Sequence, residues 1–145
     1  MTKEEIKALT YKEHKHQTYD KVRYNDTDRQ GHVNNAVFNT FFETGRVEFL
    51  YHPDHPMYGK GCSFVIASAT VDYLLEIKWP GIVEIGTSIT KVGRSSITII
   101  QSLYQNGVVV GISENVLVQV DNETTKSTPL SEESKKRLIS YTIFS

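Results

Sequence analysis

The spacing of apolar positions changes once near the start of the chain and then settles into an alternating pattern almost to its end. From Thr18 to Tyr24, the apolar Tyr19, Val22 and Tyr24 stand among Lys21 and Arg23 in the partial alternation of a half-buried strand. Asn25-Asp26-Thr27-Asp28-Arg29-Gln30-Gly31 follows, dense in residues that favour turns and helix caps. Beyond it, Val33, Val37, Thr40, Phe41, Thr44 and Val47 share one face of a helical wheel, while Phe38, Phe42 and Phe49 fall on the opposite face. This predicts a helix over 33–51, ~28 Å long at ~1.5 Å per residue, buried nearly all round. His52-Pro53-Asp54-His55-Pro56 stops it, because prolines cannot continue the hydrogen-bond ladder.

The remainder reads as strand until the tail. Cys62 to Ile77 forms one long strand with room for a bend, and Trp79-Pro80-Gly81 turns into a second over Ile82 to Val92. Gly93-Arg94-Ser95 turns into a third from Ser96 to Tyr104, and Asn106-Gly107 is a strong hairpin signal before a last strand from Val108 to Val120. Ser131 is placed to cap a short C-terminal helix within a tail over 130–145, and residues 1–17 read as a loose polar leader. The order of elements predicts an α+β fold, an antiparallel five-stranded sheet wrapped around a long central helix, in one domain over 1–145. Such a sheet covers its helix on one side only and leaves its edges unpaired, so a second copy added edge to edge is expected, giving a homodimer or a tetramer.

Composition narrows the functional classes. With 145 residues, of which 39% are hydrophobic and 23% charged, the chain suits one soluble domain. Surface scaling gives roughly 24,000 Å² exposed when unfolded and about 7,500 Å² when folded. Sixteen Lys and Arg against seventeen Asp and Glu leave a net charge of -1, which argues against nucleic-acid binding. Cys62 is the single cysteine, so no internal disulfide or multi-thiolate metal site is available, and a reducing, cytoplasmic setting is expected. The charged N-terminus lacks a signal-peptide core, and no run of about 18 apolar residues suggests a membrane span.

The chemically capable residues concentrate where the first strand meets the long helix: Asn25, Asp26, Asp28, Gln30, His32, Asn34 and Asn35. A helix N-terminus offers unsatisfied N–H groups and partial positive charge, suited to a carbonyl oxygen becoming an oxyanion. Gly31 lets the backbone approach a ligand closely. The same residues also suit a purely structural reading, in which Asp26 or Asp28 caps the helix and Gly31 makes a turn.

The continuous string Tyr24-Asn25-Asp26-Thr27-Asp28-Arg29-Gln30-Gly31-His32-Val33-Asn34-Asn35-Ala36, followed by Phe41-Phe42-Glu43 and Arg46, resembles the hotdog-fold acyl-CoA thioesterases of the 4-hydroxybenzoyl-CoA thioesterase-like family. Ala67-Ser68-Ala69, Gly93-Arg94-Ser95-Ser96 and the stretch from Val118 to Pro129 extend the resemblance over roughly residues 18–140. It implies hydrolysis of an acyl-CoA or acyl-carrier-protein thioester to acid and thiol, with coenzyme A part of the substrate and neither cofactor nor metal required. By the same resemblance Asp28 is the catalytic carboxylate, joined by His32 and by Gln30, which stands where related plant enzymes have Asn. Backbone N–H groups around Gly31, His32 and Val33, with Asn34 and Asn35, would hold substrate and oxyanion. Arg94, Ser96 and Lys91 would contact the CoA phosphates. An ordinary aspartate, with pKa near ~3.9, is ionised at neutral pH yet weakly basic, so Asp28 either attacks the carbonyl or activates water.

Glu43 is a rival carboxylate, because other hotdog branches carry a glutamate base on this helix; its structural reading is a charge partner for Arg46. His52 and His55 lack a third metal ligand, Cys62 lacks an activating neighbour, and His14 and His16 receive no role. Phe38, Phe42 and Phe49 shape the acyl pocket or simply fill the core. Two other functions remain open: a hydratase or dehydratase on the same fold, against which the missing G-H-F-P type string counts, and a module that binds acyl thioesters without turning them over.

Overall fold

The computed structural model describes residues 1–28 and 31–143. Its core is an antiparallel sheet of five strands, β1 (His16–Lys21), β2 (Cys62–Tyr73), β3 (Ile82–Val92), β4 (Ser96–Gln105) and β5 (Val108–Asp121), ordered β1-β3-β4-β5-β2. The sheet curls around the helix α2 (Asn35–Leu50), as expected from the alternation that follows residue 62.

Several local expectations shift. β1 begins two residues before Thr18, where His16 and Gln17 pair with Thr87 and Gly86, and ends before Tyr24 because the Asp26 carboxylate accepts from the Arg23 N–H at 2.8 Å and pairs with its guanidinium at 3.1 Å. That contact folds Tyr24–Asp26 into a 3₁₀ turn and takes Tyr24 out of the ladder. With Asp26 so occupied, neither aspartate caps the helix; Asn34 does, its side-chain oxygen accepting from the Ala36 N–H at 2.9 Å. β2 ends at Tyr73, and 74–78 continue as a separate segment.

The helix is not buried all round in the single chain. Phe38, Phe41, Phe42, Gly45 and Phe49, spaced i, i+3, i+4, i+7 and i+11, face the sheet, while Val47 is 47% exposed. One sheet can cover only one side. Phe38, Phe41 and Phe42 pack with Val83, Ile85 and Leu103, and Phe49 and Leu50 pack with Ile89, Ile99 and Leu117. Each buried Phe contributes about 1.5–3 kcal/mol of transfer free energy.

The leader is not loose. Thr2 and Glu5 form a reciprocal cap on α1 (Lys3–Ala8), whose Ile6 packs with Leu9 against Ile100 and Ile112 on the outer face of the sheet. His14, 2% exposed, lies flat on Gly86, with Nδ1 3.0 Å from Ser88 Oγ and Nε2 2.9 Å from Ser102 Oγ. At the other end, Ser131 caps α3 (Glu132–Ile139), as its position suggested, and Leu138 closes the core beside Phe49 and Ile89.

Candidate functional site

Between β1 and α2, residues 27–28 pair antiparallel with residues 32–33 as a small hairpin before the helix entrance. Thr27 bridges Val33, the Asp28 N–H donates to the His32 carbonyl at 2.8 Å, and the Gly31 N–H returns to the Asp28 carbonyl at 3.2 Å. Gly31 takes φ +78°, a left-handed conformation that favours glycine. Two further bonds dock the hairpin: Asn34 N–H to the Asp26 carbonyl at 3.1 Å, and Val33 N–H to the Ile77 carbonyl at 2.9 Å. Asp28 is thus exposed and held opposite His32, which stands three residues before α2 begins, its Oδ1 also receiving the His32 N–H at 3.4 Å.

These bonds change which backbone donors are available. The N–H groups of Gly31, His32 and Val33, expected to cradle an oxyanion, are already committed within the hairpin or to Ile77, and that of Asn34 is committed to Asp26. Among the described residues, the Asn35 N–H at the first position of α2 donates to nothing. Gln30 lies outside the described residues.

His32 is half-buried, and its Nδ1 lies 3.1 Å from Glu76 Oε1. That distance puts the imidazole and the carboxylate within ion-pair range of each other, on the side of the ring away from Nε2. The pairing arises because 74–78 runs beside the hairpin, with Lys78 bridging His32 and Ile77 buried beneath. Glu76 escaped sequence reasoning, since it falls at the end of what reads as a continuous strand.

Arg94, Ser96 and Lys91 are not brought to this loop within one chain. β3 starts beside Lys21, near the hairpin, and runs 11 residues to the turn that holds Arg94, which puts roughly 33 Å between them. Arg94 and Lys91 are exposed, and the turn is closed by the Gly93 N–H on the Ser96 carbonyl at 2.7 Å. His52 and His55 stack at 5.7 Å, and no cluster of metal-ligating side chains occurs among the described residues. Cys62 is buried, its Sγ 3.8 Å from the Lys60 carbonyl oxygen. No helix among the described residues is long and apolar enough to cross a membrane.

A second feature lies further along α2. Asn39, Phe42, Glu43 and Arg46 form one stripe of the helix and face Ser113 and Asn115 of β5 across a groove of about 230 Å³ whose remaining wall is β2. Glu43 and Arg46 share its wall without a direct ion pair within 4.0 Å, so the charge partnership expected from their spacing acts only at longer range. Burial pulls the Arg46 pKa below the usual guanidinium value, partly offset by the Glu43 charge. Phe42 is part of the core and also lines this groove, whereas Phe38 and Phe49 pack into the core alone.

Comparison with known proteins gives this arrangement a family. The acyl-CoA thioester hydrolase YbgC of Escherichia coli O157:H7 is 30% identical over 86 residues, a match spanning 57% of this chain and 64% of that protein. A solved structure described as a predicted thioesterase from Bacillus stearothermophilus superposes with a TM-score of 0.79 at 30% identity, covering 89% of this chain and 97% of the other. A Thermus thermophilus thioesterase complexed with coenzyme A and Zn superposes with a TM-score of 0.73 at 30% identity, covering 84% of this chain and 95% of the other. Residues 22–138 match the thioesterase-like superfamily, a span that includes the hairpin, α2 and all of the sheet except β1. The chain belongs to that superfamily, and its sheet-wrapped helix is the hotdog fold.

Proposed function

We propose that the protein hydrolyses acyl thioesters of coenzyme A or acyl-carrier protein, with Asp28 as the catalytic carboxylate. The observation that carries this reading is the pairing of Thr27 and Asp28 with Val33 and His32, which ties Asp28 to the strand leading into α2 while the Asn35 N–H is left unspent. A thioester carbonyl oxygen accepting from that N–H sits at the positive end of a 16-residue helix, where developing negative charge is stabilised. Asp28 then acts in one of two ways. As nucleophile, its carboxylate oxygen bonds to the carbonyl carbon, the C–S bond breaks, the thiolate leaves, and water cleaves the resulting anhydride. As base, it takes a proton from the water that attacks the same carbon. His32, its Nδ1 on Glu76, offers Nε2 to the substrate.

Membership of a thioesterase superfamily and likeness to a named acyl-CoA hydrolase support the reaction class. The Arg94 turn can reach a CoA bound at Asp28 only from another subunit, so the CoA-contact role of Arg94, Ser96 and Lys91 goes with a homo-oligomer. The buried lone Cys62 suits a cytoplasmic, reducing setting.

The deciding experiment follows thiol release from a panel of acyl-CoAs by the native chain and Asp28→Asn. The substitution removes charge with little change of shape, so kcat should fall by about two orders of magnitude or more while fold is kept. Near-normal turnover in the variant overturns the assignment. Single turnover in heavy-oxygen water bears on the routes: label in the Asp28 peptide marks the anhydride, and label in the product acid alone favours activated water.

A further inference from the structure

We propose that the groove between α2 and β5 receives the distal end of the acyl group and selects tails that carry an oxygen function, a carboxylate or a hydroxyl, over plain alkyl chains. The inference rests on the thioesterase reading for the nature of its ligand, and the groove itself supplies the selectivity.

A row of polar residues crosses the sheet where core is expected. Thr87, Gln101 and Ser113 are directly paired across β3, β4 and β5, all on the face turned to α2, with Asn115 next along β5. Their exposures are 0%, 0%, 3% and 2%, and they separate the apolar cluster around Phe38 from that around Phe49. Burying such groups costs free energy unless each finds a partner. Gln101 does: its Nε2 donates to the Phe42 carbonyl at 2.9 Å and to Thr87 Oγ1 at 3.0 Å. Asn115, with its amide oxygen turned to the guanidinium, accepts from Arg46 Nη1 at 3.3 Å and donates to the Glu114 carbonyl at 3.0 Å. Ser113 Oγ is buried in the groove wall with no partner among the described residues.

Arg46 has the same excess of donors. Its five N–H groups meet Asn115 and the Gln101 Oε1 at 3.5 Å, both from Nη1, and no carboxylate among the described residues comes within ion-pair range. A half-buried guanidinium and a buried hydroxyl therefore face one groove with hydrogen-bonding capacity left over. Ile66, Ala69 and Val71 line the β2 side, so the groove offers apolar walls for methylene groups beside a polar floor.

Position ties the groove to the reacting end. Asn39 lies four residues and Arg46 eleven residues beyond Asn35, which places the groove between ~6 and ~16 Å along the helix from the N–H assigned to the thioester carbonyl. An acyl chain of medium length that follows α2 ends beside Arg46 and Ser113. Glu43, exposed at the rim, accepts from a hydroxyl and opposes a carboxylate, so the two oxygenated tails separate its influence from that of Arg46.

The test compares octanoyl-CoA, ω-hydroxyoctanoyl-CoA and suberyl-CoA, which match in length and differ at the tail. The native chain should favour at least one oxygenated substrate by about tenfold or more in kcat/KM, because a site built to hydrogen-bond rejects an analogue that leaves its donors unpaired. In Arg46→Met and Ser113→Ala that ratio should shrink toward one, through KM, and Arg46→Lys should recover part of it for suberyl-CoA. Equal or better hydrolysis of octanoyl-CoA by the native chain overturns the proposal, as does an equal loss on all three substrates in both variants. If no thiol is released from any of them, the thioesterase reading falls, and calorimetric binding to the Asp28→Asn chain decides the groove. Tighter binding of an oxygenated acyl-CoA than of octanoyl-CoA upholds selection, and equal or weaker binding refutes it.

Discussion

His14 shows how one residue in a polar stretch of sequence becomes structural. Between Lys12-Glu13 and Lys15 it reads as solvated, yet in the fold both ring nitrogens meet serines and its pKa is pushed down to about 4 by burial. The unfolded chain takes up a proton near the ordinary value of 6.5, whereas the native one resists until about 4. His14 therefore contributes stability that is fully present above about pH 6.5 and is lost as pH falls toward 4, up to about 3 kcal/mol in all. His16, also held low by burial, acts in the same direction. Urea unfolding of the native chain should show stability declining across that window, and His14→Gln should start lower at neutral pH and decline less steeply. A variant that lost stability just as steeply would place the proton uptake elsewhere. Asp28 is the opposite case: its role is suggested by the local string around it, while the donor beside it is not. Which N–H remains unspent at the helix entrance depends on bonds to Asp26 and Ile77, and Ile77 lies far away in sequence.

Among the elements, α2 carries the tightest fit. A Cβ on Gly45 would stand 2.6 Å from Ile85 Cγ2, 2.8 Å from Gln101 Nε2 and 3.2 Å from Thr87 Oγ1, so the helix can lie this close to β3 and β4 only with glycine there. Gly45→Ala improves intrinsic helix propensity by about 1 kcal/mol, but overpacking costs about 1–3 kcal/mol, so the clash prevails. The measured urea midpoint should fall; a rise would mean that the sheet gives way at Ile85. The strands themselves were legible: Ile82–Val92 lies where its bracketing turns placed it, because Pro80, Gly81 and Gly93 end pairing by local sterics. The packing of α1 was not, since it rests on Ile6 and Leu9 meeting Ile100 and Ile112 across most of the chain.

For the whole molecule, one chain exposes 8357 Å², against about 7,500 Å² for a folded monomer of this size. The excess has an evident source in the edge strand β2, where Val65–Thr70 are all exposed or half-buried and no charge interrupts 62–71. An uncharged edge of this length invites another strand, and an antiparallel copy of β2 would also cover the exposed side of α2. Val65→Lys, at a position 44% exposed in the single chain, should weaken self-association at least about tenfold by light scattering, with little change in the circular dichroism of the protein held dilute. A native chain that is monomeric at high concentration refutes the oligomer. Sequence by itself determined the order of elements from β1 onward, the turns between strands and the Asp28 string, because each rests on residues within a few positions of one another. Tertiary structure alone decided which face of α2 is covered, that Glu76 steadies His32, that Arg94 stands at the far end of β3, and that Thr87, Gln101 and Ser113 line up beneath Arg46. These depend on strand register and on the approach of segments distant in sequence, where a polar residue's partners come from other strands and its own neighbours carry no trace of them.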